Sequence, residues 1–288
     1  METTQQCPKS PDTKNNIAKR NSQPPPAVYA TVIVLGLVVL CLVGRSIFLN
    51  IFHNTLFVGI RYMLPLDGTE FEFYEFEKPG QTSVLLLRSL NGDGKSKAIL
   101  FCHGNYGNVS FNALRLMQFR QKYPDHDVYC HDYPGFGCSD GHSRVDDFYM
   151  AGVRLLNHLS AKYDSVMLAG ESLGGSAAIA VCASPDLVRA PSRVIVINSF
   201  SRLSTLIGEK MGAVCGWLCG SMQLDIDSGA RLKVISARYP KLHFTFIACD
   251  GDMTVTPHHS RIMYESIKSQ ARLLQIKGTH IMYDLKLL

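Results

Sequence analysis

Gly170-Glu171-Ser172-Leu173-Gly174 decides how the rest of this chain is read. It has the form G-x-S-x-G and follows the apolar run Val166-Met167-Leu168-Ala169. Gly175 and the small residues Ser176-Ala177-Ala178-Ile179-Ala180-Val181 continue it as a helix start. A strand, a tight turn carrying serine and then a helix is the context in which a serine hydroxyl projects from the top of a sheet. Gly170 and Gly174 let the turn tighten and the helix pack close to the strand. The helix N-terminus behind Ser172 favours negative charge. A glycine-rich turn whose serine merely caps a helix has the same five letters, so the remaining chain must carry the assignment.

Upstream, the apolar run Ala98–Cys102 ends in His103-Gly104-Asn105-Tyr106-Gly107-Asn108. A glycine-rich turn leaving the carboxyl end of a strand offers backbone N–H groups to an anion. Asn105 or Tyr106 supplies one donor to a tetrahedral oxyanion and Leu173 the other, with His103 and Gly104 shaping the turn. An ordinary βα turn is the plainer alternative. Asn108-Val109-Ser110 is formally a glycosylation sequon, but it sits where modification would be obstructed. The loop His131–Gly141, rich in turn formers, shapes the floor near the serine. Its Asp132 comes too early in the chain to serve as the catalytic acid.

Downstream, the run Phe244–Cys249 leads into Asp250-Gly251-Asp252-Met253-Thr254-Val255-Thr256-Pro257. A carboxylate here can orient a histidine and stabilise its imidazolium. Spacing from the strand favours Asp252, with Asp250 as the alternative. Leu273–Ile276 is followed by Lys277-Gly278-Thr279-His280, which puts His280 on the loop after the last strand. Ser172, Asp252 and His280 thus follow three separate strands in a known serine–acid–histidine order. His280 would take the Ser172 proton, Asp252 would hold the imidazole tautomer, and an acyl-enzyme would form and be hydrolysed. This chemistry requires no metal and no cofactor.

Strand-like and helix-like segments alternate beyond Met63. Phe71–Phe76 alternates with period two, as an exposed antiparallel edge strand would, and Thr82–Leu87 is a second strand. Asn91-Gly92-Asp93-Gly94 has hairpin chemistry before the third. The further runs are Ala98–Cys102, Val128–Cys130, Val166–Ala169, Val194–Asn198, Phe244–Cys249 and Leu273–Ile276, with helical patterns such as Phe148–Leu159 between most of them. The expected fold class is α/β: a mostly parallel eight-stranded sheet with helices on both faces.

The 288 residues are 46% hydrophobic and 18% charged, with a net charge of +5, and the basic residues are scattered. Nucleic-acid binding therefore has little support. Residues 1–26 are polar, mildly basic and end in Pro24-Pro25-Pro26, the composition of a disordered tail. Residues 27–44 hold no charge and are long enough to reach across a bilayer. A cleaved signal peptide fits less well, because the polar leader is long and no A-x-A-like site follows, and a buried core helix is the plainer alternative. Residues 45–62 stay apolar, broken by Asn50, His53 and Asn54, as an interfacial linker would be. Lys9, Lys14, Lys19 and Arg20 precede the span, which by the positive-inside bias puts the N-terminus in the cytoplasm and the bulk of the chain in a lumen or outside. The nine cysteines suggest no disulfide framework, and Cys215 and Cys219 lack the partners a metal pair would need.

The motifs His103-Gly104-Asn105-x-Gly107-Asn108, Tyr133-x-Gly135-Phe136-Gly137-x-Ser139-x-Gly141, Gly170-Glu171-Ser172-Leu173-Gly174-Gly175 and Gly278-Thr279-His280 resemble those of the α/β-hydrolase superfamily. Within it the chain is similar to the membrane-anchored α/β-hydrolase-domain proteins of the thirteenth type, relatives of the yeast bud-emergence hydrolases. The resemblance runs from about Met63 to the C-terminus and includes the anchor. It implies a serine hydrolase (a carboxylic ester or thioester hydrolase), a single-pass type II signal-anchor and a domain over residues 63–288 with a cap at about 199–240. Its partners would be a membrane and an acyl-containing small molecule, lipid or acylated protein. The related seventeenth type removes palmitoyl groups from proteins using an N-terminal cysteine cluster; this chain has only Cys7 there, so that activity is not carried over. The chain departs from the pattern in three ways. Pro257 stands five residues after Asp252 instead of four, Tyr106 replaces a small residue and would narrow the oxyanion turn, and little of a closing helix remains in Ile281–Leu288.

In the cap, Leu203, Ile207, Met211, Val214, Trp217, Leu218 and Met222 fall at roughly helical spacing and could line an acyl pocket or simply pack. Two rival functions remain open on sequence grounds. One is a catalytically inactive hydrolase-fold membrane scaffold or ligand-binding module. The other is a secreted peptidase processed near Arg45.

Overall fold

The computed structural model describes residues 26–66, 70–77, 82–88, 96–222 and 224–285. The expected tail at residues 1–26 lies, up to residue 25, outside the described residues. The chain divides into two units, one ending at Asn50 and one running Ile51–Leu288. Helix α1, Pro26–Leu56, forms the described part of the first unit and gives its last turns to the second. It runs unbroken through Arg45 into the segment expected to be an interfacial linker. Its segment Val34–Asn54 is 21 residues long and, among the described residues, is the one helix long and apolar enough to cross a membrane.

The second unit then follows in chain order. Strand β1 is Val58–Gly59, β2 Phe71–Phe76, β3 Thr82–Leu87, β4 Lys97–Cys102 and β5 Tyr106–Gly107. A 3-10 turn, Val109–Asn112, leads into α2 Ala113–Lys122. Then come β6 Asp127–His131, α3 Met150–Lys162, β7 Ser165–Glu171, α4 Leu173–Ala183 and β8 Arg193–Ile197. Helices α5 Leu203–Met211, α6 Ala213–Ser221 and α7 Ser228–Arg238 precede β9 Phe244–Cys249, α8 Pro257–Ser266 and β10 Ala271–Ile276.

Eight strands form one sheet in the order β10-β9-β8-β7-β4-β6-β3-β2. The pairings β2–β3 and β3–β6 are antiparallel and the others in this sheet are parallel. The hairpin expected from Asn91–Gly94 is corrected by this order. Those four residues lie outside the described ones, and β3 and β4 are not neighbours because β6 pairs with both. A two-residue turn cannot bridge an intervening strand.

The inner strands β3, β4, β6, β7, β8 and β9 bury both faces, as a covered parallel sheet requires, while the edge strands β2 and β10 stay partly open. One face carries Ile99, Phe101, Ile195, Ile197 and Ile247 against Leu116 and Phe119 of α2, with Tyr283 and Leu285 of the C-terminal segment packed on the same core. On the other face α4 lies on β7 and β8, α3 on β4 and β7, and α8 on β9 and β10.

The register sets up everything that follows. Cys102 pairs with Gly170, Glu171 with Ile197, Ile197 with Ile247, and Cys249 with Ile276. Five strands therefore end level, and the loops that begin at 103, 172, 198, 250 and 277 leave the same carboxyl edge.

Candidate active site

The turn between β7 and α4 is built by backbone crowding. Ser172 has φ 56° and ψ −122°, a left-handed conformation costly for a residue with a side chain. It persists because the flanking contacts admit nothing else. A Cβ on Gly170 would overlap the Gly174 carbonyl, and one on Gly174 would overlap the Cys102 carbonyl. Ser172 N donates to Ile197 O at 2.9 Å, and Ser199 Oγ donates to Ser172 O at 2.7 Å. Behind the turn, the Ser228 hydroxyl donates to Ser176 Oγ, which meets Ser199 Oγ at 3.2 Å. Ser172 thereby stands at the head of α4, where helix N–H groups lack intrahelical partners.

Ser172, His280 and Asp252 come together across the sheet edge. His280 Nε2 lies 2.9 Å from Ser172 Oγ, and His280 Nδ1 lies 2.7 Å from Asp252 Oδ2. Asp252 is buried, and its other oxygen accepts from Thr254 N at 2.8 Å and Val255 N at 2.9 Å. Asp250, the alternative acid, does not reach the imidazole; its Oδ1 accepts from Gly278 N at 3.2 Å. Pro257 opens α8 at a first-turn position, where its missing N–H costs nothing, which accounts for its place in the sequence.

The strand-end alignment sets the 103–107 turn beside the serine. Gly104, Asn105 and Tyr106 line the same cavity as Ser172 and His280. Leu173 is buried directly behind the serine as the first residue of α4. The turn is braced from below. His103 is fully buried, with Nδ1 2.7 Å from Gly104 O and Nε2 3.3 Å from Asp132 Oδ1. Tyr133 Oη donates to His103 O at 2.6 Å, and Asp132 Oδ1 accepts from Val109 N. Asp132 thus holds the turn in place and stays away from His280. The Tyr106 ring is mostly exposed and stands edge-on to Phe111 at 6.0 Å, at the mouth.

Asn108 is fully buried. Its amide nitrogen donates to Ile60 O at 2.7 Å and Tyr62 O at 2.8 Å, and its oxygen accepts from Ser110. The sequon asparagine is therefore a clamp between the chain leaving β1 and the turn after β5, with no amide hydrogen open to modification.

The cavity at Ser172 encloses about 800 Å³. Phe111, Asn112, Leu114, Arg115 and Gln118 form one wall, and Ile281, Met282 and Tyr283 another. This corrects the expectation for the cap. None of its stripe residues lines this cavity. Helices α5 and α6 pack on each other through Gly208 and Gly216, and leave Met211, Val214 and Trp217 facing solvent.

Two residues that hold the His280 loop escaped sequence reading. Asn198, at φ 46°, donates from Nδ2 to His280 O at 2.9 Å, and its Oδ1 accepts from Cys249 N at 2.9 Å. The one local signal for it is an asparagine ending an apolar strand, since asparagine tolerates the left-handed region. Arg115, on α2, donates to Ile281 O at 3.0 Å and stacks over the Tyr283 ring at 3.9 Å. Its guanidinium also pairs with buried Glu171, Nε to Oε2 at 3.1 Å. Burial raises the Glu171 carboxyl above its ordinary range against the pull of Arg115. Nothing local marks Arg115, which is 166 residues from its carbonyl partner.

Solved structures of similar architecture include esterases. The Pyrococcus furiosus esterase Pf2001 superposes with a TM-score of 0.59 at 16% identity, covering 77% of this chain and 90% of that one. The ferulic-acid-bound Est1E of Butyrivibrio proteoclasticus gives 0.57 at 15%, covering 74% and 93%. Acetyl xylan esterase 1 from a Thermoanaerobacterium species gives 0.55 at 13%, covering 78% and 83%. At these identities the likeness is one of fold. The sequence model of the Alpha/beta hydrolase family matches residues 99–248, just over half of the chain, from within β4 to within β9. The chain therefore belongs to the alpha/beta hydrolase family.

Proposed function

We propose that the protein is a membrane-anchored serine hydrolase that cleaves an acyl ester or thioester through a covalent acyl-enzyme. One observation carries this reading: a single imidazole bridges Ser172 and Asp252, with contacts of 2.9 and 2.7 Å. His280 Nε2 takes the hydroxyl proton as Ser172 Oγ attacks the acyl carbon, and the same proton passes to the leaving alcohol or thiol. The Asp252 carboxylate holds Nδ1 protonated and stabilises the imidazolium. Backbone N–H groups of Leu173 and of Asn105 or Tyr106 receive the oxyanion, each such donor being worth about 10²–10³ in rate. Water deprotonated by His280 then releases the acid.

Asp252 takes the acid role over Asp250 in this reading, and Gly104, Gly170, Gly174 and His103 shape the turns. Val34–Asn54 serves as a single-pass anchor, and the balance of basic residues around it supports a type II arrangement with the hydrolase domain luminal or extracellular. The motif set supports kinship with the thirteenth type of the α/β-hydrolase-domain proteins, and the esterases of like fold support an ester-cleaving reaction.

A fluorophosphonate probe tests this. The full chain in detergent micelles is expected to be labelled covalently, and the Ser172→Ala variant to remain unlabelled at equal folding. Folded wild-type chain that takes no label would support a scaffold in place of an enzyme.

A further inference from the structure

The chain enters the second unit beside the proposed active site. Helix α1 ends at Leu56, and Val58 already pairs with Tyr106, its N–H donating to Asn105 O at 3.1 Å. Ile60 N donates to Gly107 O at 3.2 Å, and the Phe57 ring packs on Phe148 at 5.3 Å. Two residues of chain reach at most about 7 Å. The end of the apolar helix is thus fixed within one side-chain length of the 103–107 turn.

The same carboxyl edge carries exposed apolar side chains. Tyr106, Leu114, Ile281 and Met282, around the cavity mouth, leave 62–75% of their surface open. The α5–α6 hairpin, leaving the carboxyl end of β8, adds Val214 and Trp217, both about as open. The hairpin lies at the acid loop, where Lys210 Nζ donates to Met253 O. Exposed apolar clusters of this kind mark interaction surfaces, and a tryptophan favours the membrane–water boundary.

Resting on the hydrolase reading above, we propose that this edge docks on the bilayer that holds α1, and that the substrate is a long-chain acyl ester or thioester resident in that bilayer. The occupant is a lipid surface because the chain continues from the edge directly into a helix of membrane-spanning length. With the rim seated, an acyl chain passes from the bilayer between α2 and the His280 loop to Ser172 without crossing water.

Trp217 is the only tryptophan of the chain, so its emission reads docking without an added fluorophore. Full-length Ser172→Ala protein would be reconstituted into phosphatidylcholine vesicles with plain or with brominated acyl chains. A hairpin seated about 5–10 Å into the boundary is expected to lose about half of its emission or more to bromine and to shift blue. Equal emission in both vesicles, at the wavelength of a water-exposed tryptophan, overturns the proposal. In a second arm, Met211→Glu with Val214→Glu is expected to slow cleavage of a vesicle-resident long-chain ester about tenfold, with a soluble butyrate ester unaffected. Equal slowing of both, or of neither, overturns the proposal too. Loss of fluorophosphonate labelling, by contrast, would remove the hydrolase reading while leaving the fluorescence result standing.

Discussion

Asp252 meets His280 through one carboxylate oxygen, 2.7 Å from Nδ1, and gives its other oxygen to two backbone N–H groups of its own loop. The carboxylate is therefore fixed before the imidazole arrives, and Asn in its place would present the wrong partner to Nδ1. Asp252→Asn is expected to lower kcat by about 10⁴ with little change in KM. Asp250→Asn loses only a contact to Gly278 N and is expected to stay within about threefold of wild type. Steady-state kinetics on one soluble ester checks both.

Arg115 ties buried Glu171 to the loop after His280. Arg115→Met strands the carboxylate and is expected to cost about 3–5 kcal/mol. Glu171 already titrates above its ordinary range in the fold. Its folded value above its unfolded one means that folding favours the protonated acid, so stability falls as pH rises through that window. The Arg115→Met defect should accordingly be largest at neutral and alkaline pH and shrink on acidification. The double variant Arg115→Met with Glu171→Gln should recover most of the stability but not kcat, because Ile281 O still lacks its donor. Melts across pH, paired with kinetics, separate the two effects.

His131 ends β6 fully buried, and neither ring nitrogen has a hydrogen-bond partner. Burial above all, with nearby His103 and Arg154, pushes its pKa down to about 3. Below the ordinary histidine range the unfolded chain takes a proton that the folded chain refuses. Stability is therefore full above about pH 6.5 and drains as pH falls toward the folded value, by about 1.4 kcal/mol per unit. His131→Leu is expected to flatten that slope, as read from unfolding free energy between pH 7 and about pH 5.

Two glycines near the serine should respond differently to a methyl group. A Cβ on Gly174 would collide with the Cys102 carbonyl, which β4 holds rigid, so Gly174→Ala should not yield folded protein. A Cβ on Gly104 meets Glu171 O and Ser172 Cβ at 3.8 Å, ordinary contact distance. Gly104→Ala should fold with a melting temperature near wild type and lose activity modestly. Expression yield, melts and probe labelling distinguish the two outcomes.

Asn198 makes the same point about position as Arg115. Its amide reaches the His280 carbonyl across 82 residues of chain, and only the level ends of β8, β9 and β10 bring the two together.

What the amino-acid order determined alone was local. The apolar runs placed strands Phe71–Phe76, Thr82–Leu87 and Phe244–Cys249 at their observed bounds. The crowded turn around Ser172 was legible from its glycines, because periodicity and backbone freedom act over a few residues. Tertiary structure decided the rest. It inserted β6 between β3 and β4, brought Asp252 and not Asp250 to the imidazole, and turned Asn108 and Asp132 into braces. It also walled the cavity with α2 instead of the cap. Those outcomes depend on strand order and register, which are set by the packing of side chains far apart in the chain.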